Sequence, residues 1–256
     1  MKRYSMIILL VILTSFTTQK ERAFDVGEWF KFRIHYGFVT AGYATMEIKQ
    51  GENDKIFHAI GKGYTTGMSK IFFKVDDTYE SYFDRETGKP YRFVRKIDEG
   101  GYTKNQEGFF IQSSDKIIVK DYKKKTEKTF SVPDGTQDIL STFYYLRNYP
   151  TIDKLKVGES VNIDMFFDDE TTKFKLKFIG REDLKTKFGT IPTMIFRPFV
   201  QAGRVFKEQE SLTVWISDDD NKMPLRIKAS LAVGSIKADL DAFKGLKYPF
   251  TVKVKP

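Results

Sequence analysis

Hydrophobic and polar residues alternate along most of the chain. Between residues 29 and 36, Phe30, Phe32 and Ile34 fall on one side of an extended chain, while Lys31 and Arg33 fall on the other. Further alternating runs cover 43–48, 55–61, 75–84, 91–98, 108–112, 116–122, 127–132, 160–167, 172–179, 192–199, 205–216, 225–233 and 235–241. Such alternation is typical of strands with one packed and one solvated face, so it predicts an antiparallel meander of about fourteen strands.

One helix interrupts this pattern. The segment 133–138 carries the residues of a helix start, with Asp134 and Gln137 spaced as a capping box. An apolar stripe follows, so we expect a helix around 136–148, and a shorter helical turn is expected to begin at Thr66. Because an open sheet of this width should curl, the predicted fold is all-β and mainly antiparallel: a curved sheet or open β-barrel of two related halves with one central α-helix.

The segments on the two sides of that helix show an internal repeat. A shift of 134 residues aligns five identical residues and one basic pair. It places Lys70, Phe72, Asp84, Pro90, Arg92 and Gly100 on Arg204, Phe206, Asp218, Pro224, Arg226 and Gly234. Each copy has a strand, an Asp-initiated turn, a proline, a second strand and a glycine. We therefore expect residues 18–256 to form a single β-rich domain, with related halves around 24–132 and 151–256.

The N-terminus has the pattern of an export signal. Lys2 and Arg3 precede an unbroken apolar run at 6–13, and small and polar residues follow. Because so short a run cannot cross a hydrocarbon core of about 30 Å, residues 1–17 are predicted to be a signal peptide rather than a membrane anchor. Cleavage after Thr17 or Thr18 would release a protein of the periplasm or outer cell envelope.

Composition excludes several kinds of chemistry. The sequence has no cysteine, which excludes disulfides, thiol catalysis and Cys-based zinc sites. Its two histidines, His35 and His58, are too few for a His-rich metal centre, and no metal or cofactor is predicted. The motifs of a nucleophile elbow, a zinc protease and a phosphate-binding loop are absent from the sequence. We expect His35 to lie on the surface and His58 to be partly buried with a hydrogen-bond partner.

Paired carboxylates are the remaining route to catalysis, because glycoside cleavage needs only two of them at a suitable separation. The candidates are Glu80, Asp84, Glu99, Asp168, Asp169 and Glu170. The acidic run 218–221 lacks the glycine and the distal glutamate of an EF-hand loop and is interpreted as a turn. A carboxylate-based hydrolase is therefore an alternative, and the main prediction is a non-enzymatic protein without catalytic residues.

Aromatic residues make up 15% of the sequence, and on a curved sheet they would line an interior that is either packed solid or holds a ligand. Arg95 shares the inward face of its strand with Phe93 and Ile97. A buried guanidinium needs a carboxylate partner, for which Glu99 and Glu80 are the candidates. The pair is either structural or an anchor for an anionic headgroup or sugar acid. Trp215 completes the predicted ligand-binding residues.

The charge distribution narrows the choice of partners. The formal net charge is +9, but the basic residues are spread along the chain, so nucleic acid is not a predicted partner. The one dense basic cluster is Lys123, Lys124 and Lys125, between two alternating runs. It is expected at a hairpin tip, either as a solvated turn or as a contact for anionic lipid headgroups or acidic polysaccharide.

At several motifs the sequence resembles the exported bacterial proteins of the domain of unknown function 3108 family. The residues that carry the resemblance are Gly27-Glu28, Tyr36-Gly37, Ala41-Gly42, 77–82, Asp84, Pro90, Glu99-Gly100, 137–141, Gly203-Arg204, 215–219 and Pro224. The resemblance implies a signal peptide, a location in the envelope of a Gram-negative bacterium and a β-rich fold, without an established activity. A looser similarity is to the lipoprotein-carrier fold, an open barrel wrapped around a helix with an apolar cavity.

Export, the aromatic excess and this fold analogy together favour non-enzymatic binding of a lipid, lipoprotein or other amphiphile in the curve of the sheet. Two further alternatives are binding of surface polysaccharide through exposed Tyr, Trp and Lys side chains, and a purely structural scaffold with a filled core.

Overall fold

The structure, a computed structural model, describes residues 22–200 and 212–253, apart from the side chain of Val200. These residues form fourteen strands and two α-helices. The strands are β1 (Trp29–Tyr36), β2 (Val39–Gln50), β3 (Ile56–Thr65), β4 (Asp76–Asp84), β5 (Pro90–Glu99), β6 (Tyr102–Ile111), β7 (Lys116–Asp121), β8 (Thr126–Ser131), β9 (Ser160–Phe167), β10 (Glu170–Thr186), β11 (Gly189–Val200), β12 (Leu212–Ser217), β13 (Pro224–Ser230) and β14 (Ser235–Lys244). The helices are α1 (Ser69–Phe72) and α2 (Ile139–Arg147). The predicted signal peptide and the start of the run 205–216 lie outside the described residues.

All fourteen strands belong to one antiparallel sheet. Its order is β8-β7-β6-β5-β4-β3-β2-β1-β14-β13-β12-β11-β10-β9, so β1 pairs with β14 in the middle and β8 and β9 are the two ends. The sheet is curved and unclosed, which confirms the predicted all-β, antiparallel fold class. In the described part of the proposed repeat, Pro90 and Pro224 begin β5 and β13. The repeat itself stays a prediction.

The segment after β8 links the two ends of the sheet. The Gln137 N–H donates to the Asp164 carbonyl at 2.8 Å, and the Phe166 N–H donates to the Gln137 carbonyl at 2.8 Å. The rings of Phe130 on β8 and Phe166 on β9 lie 5.2 Å apart. The opening between the ends is therefore spanned by side chains and one short backbone contact instead of a continuous strand ladder.

Helix α2 begins after Asp138, inside the predicted range. Asp138 Oδ1 accepts hydrogen bonds from the N–H groups of Leu140 (2.9 Å) and Ser141 (3.0 Å), and the Ser141 hydroxyl accepts from the Asp138 N–H (2.8 Å). The predicted capping box of Asp134 and Gln137 is therefore wrong. Gln137 forms a β-bridge with Met165 on β9, and this bridge keeps the chain extended as far as Asp138. A local spacing rule cannot anticipate this contact.

The inner face of the sheet packs on α2 and on the segment before β1. The ring of Tyr144 on α2 lies 4.7 Å from that of Phe24 and 5.8 Å from that of Phe83. Leu140 and Phe57 belong to the same buried cluster. This aromatic packing fills the concave side of the sheet in its N-terminal half, so α2 supplies part of the hydrophobic core there.

A buried ion pair joins α2 to both parts of the sheet. Arg147 and Glu28 have side chains only 2% and 0% exposed, and they form two hydrogen bonds of 2.6 and 2.7 Å. Arg147 Nη2 also donates to the carbonyl of Asn221, in the turn between β12 and β13, at 2.7 Å. Four aromatic rings lie within 5.1–5.7 Å of this guanidinium. The hydrophobic pattern of the sequence did not indicate this pair.

Candidate ligand-binding cleft

Arg95 lies on the inner face of β5, with only 8% of its surface exposed. In the sheet its register partners are Tyr79 on β4 and Gln106 on β6. The guanidinium carbon is 4.2 Å from the ring centre of Phe167 and 5.6 Å from that of Tyr79. A cation is therefore enclosed by aromatic rings, in the position that strand alternation predicts.

The carboxylate that pairs with Arg95 comes from the turn between β9 and β10. Arg95 Nη1 donates to Asp168 Oδ1 at 2.7 Å, and Lys104 Nζ donates to the same oxygen at 2.5 Å. The expectation that Glu99 or Glu80 is the partner is wrong. Asp168 is 73 residues from Arg95 in the chain, and only the curvature of the sheet brings its turn onto β5 and β6.

The two cations determine the charge state of Asp168. Burial raises the pKa of this carboxyl, but the hydrogen bonds from Lys104 and Arg95 outweigh burial, so that its pKa is lowered overall. The neighbouring Asp169 pairs with Lys128 on β8 at 3.5 Å. At the centre of the cleft, two cations thus share one ionised carboxylate oxygen.

Glu99 is hydrogen-bonded to Asp77 instead of Arg95. This contact, burial and the charge of Asp77 raise the pKa of Glu99 to about 7, while the charge of Arg95 acts in the opposite direction. Two carboxyl groups in hydrogen-bond contact share a proton. They are closer than the separation of about 5 Å or more that glycoside cleavage uses, so this pair gives the hydrolase alternative no support.

The other two predicted ligand-binding residues lie elsewhere. Glu80 borders the cleft, but alternation directs its side chain to the opposite face of β4, where its Oε2 lies 2.7 Å from His58 Nε2. Trp215 on β12 donates its indole N–H to Glu182 Oε1 at 2.6 Å. Of the four predicted residues, Arg95 is therefore the one with its charged group in the cleft.

The burial predicted from the sequence is correct for one of the two histidines and wrong for the other. His58 is partly buried and paired, as expected, and its ring stacks on that of Tyr82 with centres 4.1 Å apart. The expected surface position of His35 is wrong. His35 is buried, with Nε2 3.0 Å from Asp239 Oδ2 and Nδ1 2.7 Å from the Gly37 carbonyl. Its partner lies on β14, and the pairing of the first strand with the last is not visible in a local sequence pattern.

The cleft around Arg95 is narrow. Its lining includes Tyr79, Phe93, Gln106, Ile139, Phe166, Phe167, Asp168 and Asp169. Its free volume is about 10 Å³, which is the room of one water molecule. Arg95 Nε is buried and has no hydrogen-bond partner among the described residues. The Nε–H group of Arg95 is therefore an unsatisfied hydrogen-bond donor in the cleft that the β9–β10 turn covers.

The cluster Lys123, Lys124 and Lys125 forms the turn between β7 and β8. All three residues are exposed, and Lys123 Nζ donates to the carbonyl of Thr103 at 3.3 Å. The hairpin-tip position expected from the sequence is thus present. Contact of these lysines with a membrane or a polysaccharide stays a prediction.

Comparison with known proteins gives a family and a fold. The model of a family of proteins of unknown function, DUF3108, matches residues 31–241. The chain belongs to the DUF3108 family. Its structure is similar to that of a β-barrel-like DUF1849 protein from Brucella abortus, with a TM-score of 0.58 and 11% identity over 89% of this chain and 100% of the other. A DUF1089 family protein from Pseudomonas aeruginosa has a TM-score of 0.39 and 9% identity over 71% and 87% of the two chains. No curated protein matches the chain.

The described part of this DUF3108 protein was predicted to hold no metal, and its side chains and helices bear on metal binding and membrane insertion. Residues 22–200 and 212–253 contain no group of three or more His, Cys, Asp or Glu side chains that could hold a metal ion. Neither helix in those ranges is long and apolar enough to cross a membrane. What the cleft offers is ion pairing, hydrogen bonding and aromatic contact, which together can hold an anion beside an apolar wall.

Proposed function

We propose that this protein is exported to the cell envelope and binds an anionic amphiphile in the curve of its sheet. The observation that carries the proposal is the sharing of Asp168 Oδ1 by Arg95 and Lys104. A fatty-acid carboxylate or a lipid phosphate offers these cations the same charged acceptor as Asp168 and can take its place. The rings of Phe93 and Phe166 would then contact the apolar part of the ligand.

Binding requires the β9–β10 turn to move, because the closed cleft has room for about one water molecule. Asp168 and Asp169 have φ angles of 52° and 65°, as a two-residue hairpin turn requires, and Phe167 pairs with Glu170 at the base of this turn. The ion pairs of the two aspartates hold the turn in place. A ligand anion that replaces Asp168 would restore the ion pairs of Arg95 and Lys104 and leave the turn free to move aside.

The test compares variants of the two partners for oleate binding and for retention of lipid during gentle purification, both measured by native mass spectrometry. Arg95→Met should weaken oleate binding about tenfold or more, because it removes a charge-assisted hydrogen bond. Asp168→Asn should strengthen binding, because it frees both cations from their internal competitor. Arg92→Met is the matched control: Arg92 is on the same strand but pairs with Glu107 on the opposite face at 2.5 Å.

Two results would count against the proposal. One is a bare mass for wild type and for Asp168→Asn after incubation with oleate and with envelope lipids. The other is equal loss of unfolding stability in Arg95→Met and Asp168→Asn without any change in binding, which would make the contact a structural ion pair alone.

A further inference from the structure

Five adjacent turns lie side by side at one end of the sheet, where the β9–β10 turn also falls. In an antiparallel sheet of this order, the turns β13–β14, β1–β2, β3–β4, β5–β6 and β7–β8 fall at the same end. Contacts connect them in sequence: the Tyr36 hydroxyl donates to Val233 O (3.1 Å), Thr66 N–H to Ala41 O (3.1 Å), Gly100 N–H to Lys74 O (2.8 Å) and Lys123 Nζ to Thr103 O (3.3 Å). We call residues 231–234, 37–39, 66–75, 100–102 and 122–125 the turn row.

One part of the turn row exposes large apolar side chains. They belong to three adjacent turns and are Phe38 (103% exposed), Ile71 (81%), Phe72 (81%), Val233 (77%), Met68 (72%) and Val39 (66%). Single exposed apolar residues are ordinary on a protein surface, but a contiguous group marks a site of contact. Helix α1 contributes to this group although none of its residues is buried, so its apolar side chains do not serve the core.

The other part of the turn row is basic. Lys123, Lys124 and Lys125 are exposed and have no carboxylate within 4.0 Å among the residues that the structure describes. Lys70 on α1 is also exposed, beside the apolar group. Lys74, by contrast, is neutralised by Asp98 at 2.5 Å. Protruding apolar side chains, with Lys70 beside them and the lysines of the β7–β8 turn two turns along the row, complement a surface that is apolar inside and anionic outside.

We propose that the turn row docks on an anionic lipid bilayer. The apolar tips of the β1–β2, β3–β4 and β13–β14 turns enter the boundary between headgroups and acyl chains, and the lysines of the β7–β8 turn contact lipid phosphates. The β9–β10 turn over the Arg95 cleft falls at the same end of the sheet, but the turn row uses other side chains and does not depend on a ligand in the cleft. It places the sheet upright on the membrane, with the loop 151–158 at the distant end.

Vesicle flotation with the predicted mature protein, residues 18–256, tests the proposal. Binding to phosphatidylcholine vesicles containing phosphatidylglycerol should exceed binding to pure phosphatidylcholine and should fall with added salt. Phe38→Ser with Phe72→Ser should lower the partition coefficient about tenfold or more on both kinds of vesicle. Replacing Lys123, Lys124 and Lys125 by Gln should remove the preference for phosphatidylglycerol.

The opposite end of the sheet supplies matched controls. Val157 is 72% exposed in the loop before β9, and Lys154 and Lys156 are exposed beside it. Val157→Ser and the double change of these lysines to Gln should leave vesicle binding unchanged. The proposal would be overturned if the control variants lost as much vesicle binding as the turn-row variants. It would also be overturned if wild type did not bind vesicles, or if light scattering showed a dimer that depends on Phe38. Arg95→Met should bind vesicles like wild type, which separates this outcome from a failure of the cleft proposal.

Discussion

The buried pair Glu28–Arg147 allows a quantitative prediction for Glu28→Gln. The change keeps the shape of the side chain but removes the charge that compensates Arg147, which stays 2% exposed. Removing one partner of a buried pair destabilises by about 3–5 kcal/mol. The contact of Arg147 with the Asn221 carbonyl at 2.7 Å survives, so we expect the lower part of this range. The double variant Glu28→Gln, Arg147→Met should recover most of the loss, since no unpaired charge remains.

The assay is urea unfolding followed by tryptophan fluorescence, because Trp29 is adjacent to Glu28 in the chain. With a slope of about 3 kcal/mol per molar urea, a loss of about 3–5 kcal/mol lowers the midpoint by about 1–2 M. Asp183→Asn is the control. It breaks the exposed pair of Asp183 with Lys253, at 2.7 Å, which should be worth less than about 1 kcal/mol. If the midpoint of Glu28→Gln falls no further than that of Asp183→Asn, the uncompensated charge of Arg147 does not destabilise the fold as expected.

Two further changes probe the helix cap and the packing of β6. Burial raises the pKa of Asp138 to about 6 from an ordinary 3.8, so its contribution to stability is complete below about pH 4 and is lost as pH rises through 6. Between pH 4 and pH 8, the free energy of unfolding should therefore fall by up to about 3 kcal/mol more in wild type than in Asp138→Asn. Equal falls in the two proteins would contradict this prediction. Gly108→Ala should destabilise by about 1–3 kcal/mol in thermal unfolding, because its Cβ would lie 2.0 Å from the Phe93 ring. Gly63→Ala, with no atom within 4 Å of the added Cβ, is the control.

The fold was accessible from the sequence because period-two alternation survives wherever one face of a strand is packed. Phe30 and Phe32 are buried, as the pattern of β1 requires. The pattern failed where both faces are polar: β6 begins at Tyr102, but the alternating run begins only at 108, since 103–107 are all polar. There the strand forms because its neighbours β5 and β7 pair with it.

The candidate site was predictable only in part. Arg95 could be singled out because a charged residue on an apolar face needs a partner. Its partner Asp168 could not be chosen, because the choice depends on how far the sheet curves and not on any local spacing. The pairs of His35 with Asp239 and of Arg147 with Glu28 join residues 204 and 119 positions apart. The first pair joins the first and last strands, and the second joins α2 to the segment before β1, so that both depend on the tertiary fold.

The order of the strands also has a consequence for how the chain folds. Among the described strands, twelve of the thirteen ladders join neighbours in sequence, and the remaining one pairs β1 with β14, about 200 residues later. The sequential hairpins can form as the chain emerges, but loop closure makes the last pairing slow. Until β14 arrives, β1 has one edge without backbone partners. We therefore expect the newly made protein to need protection at its first strand, and a chain that stops before β14 to associate through that edge.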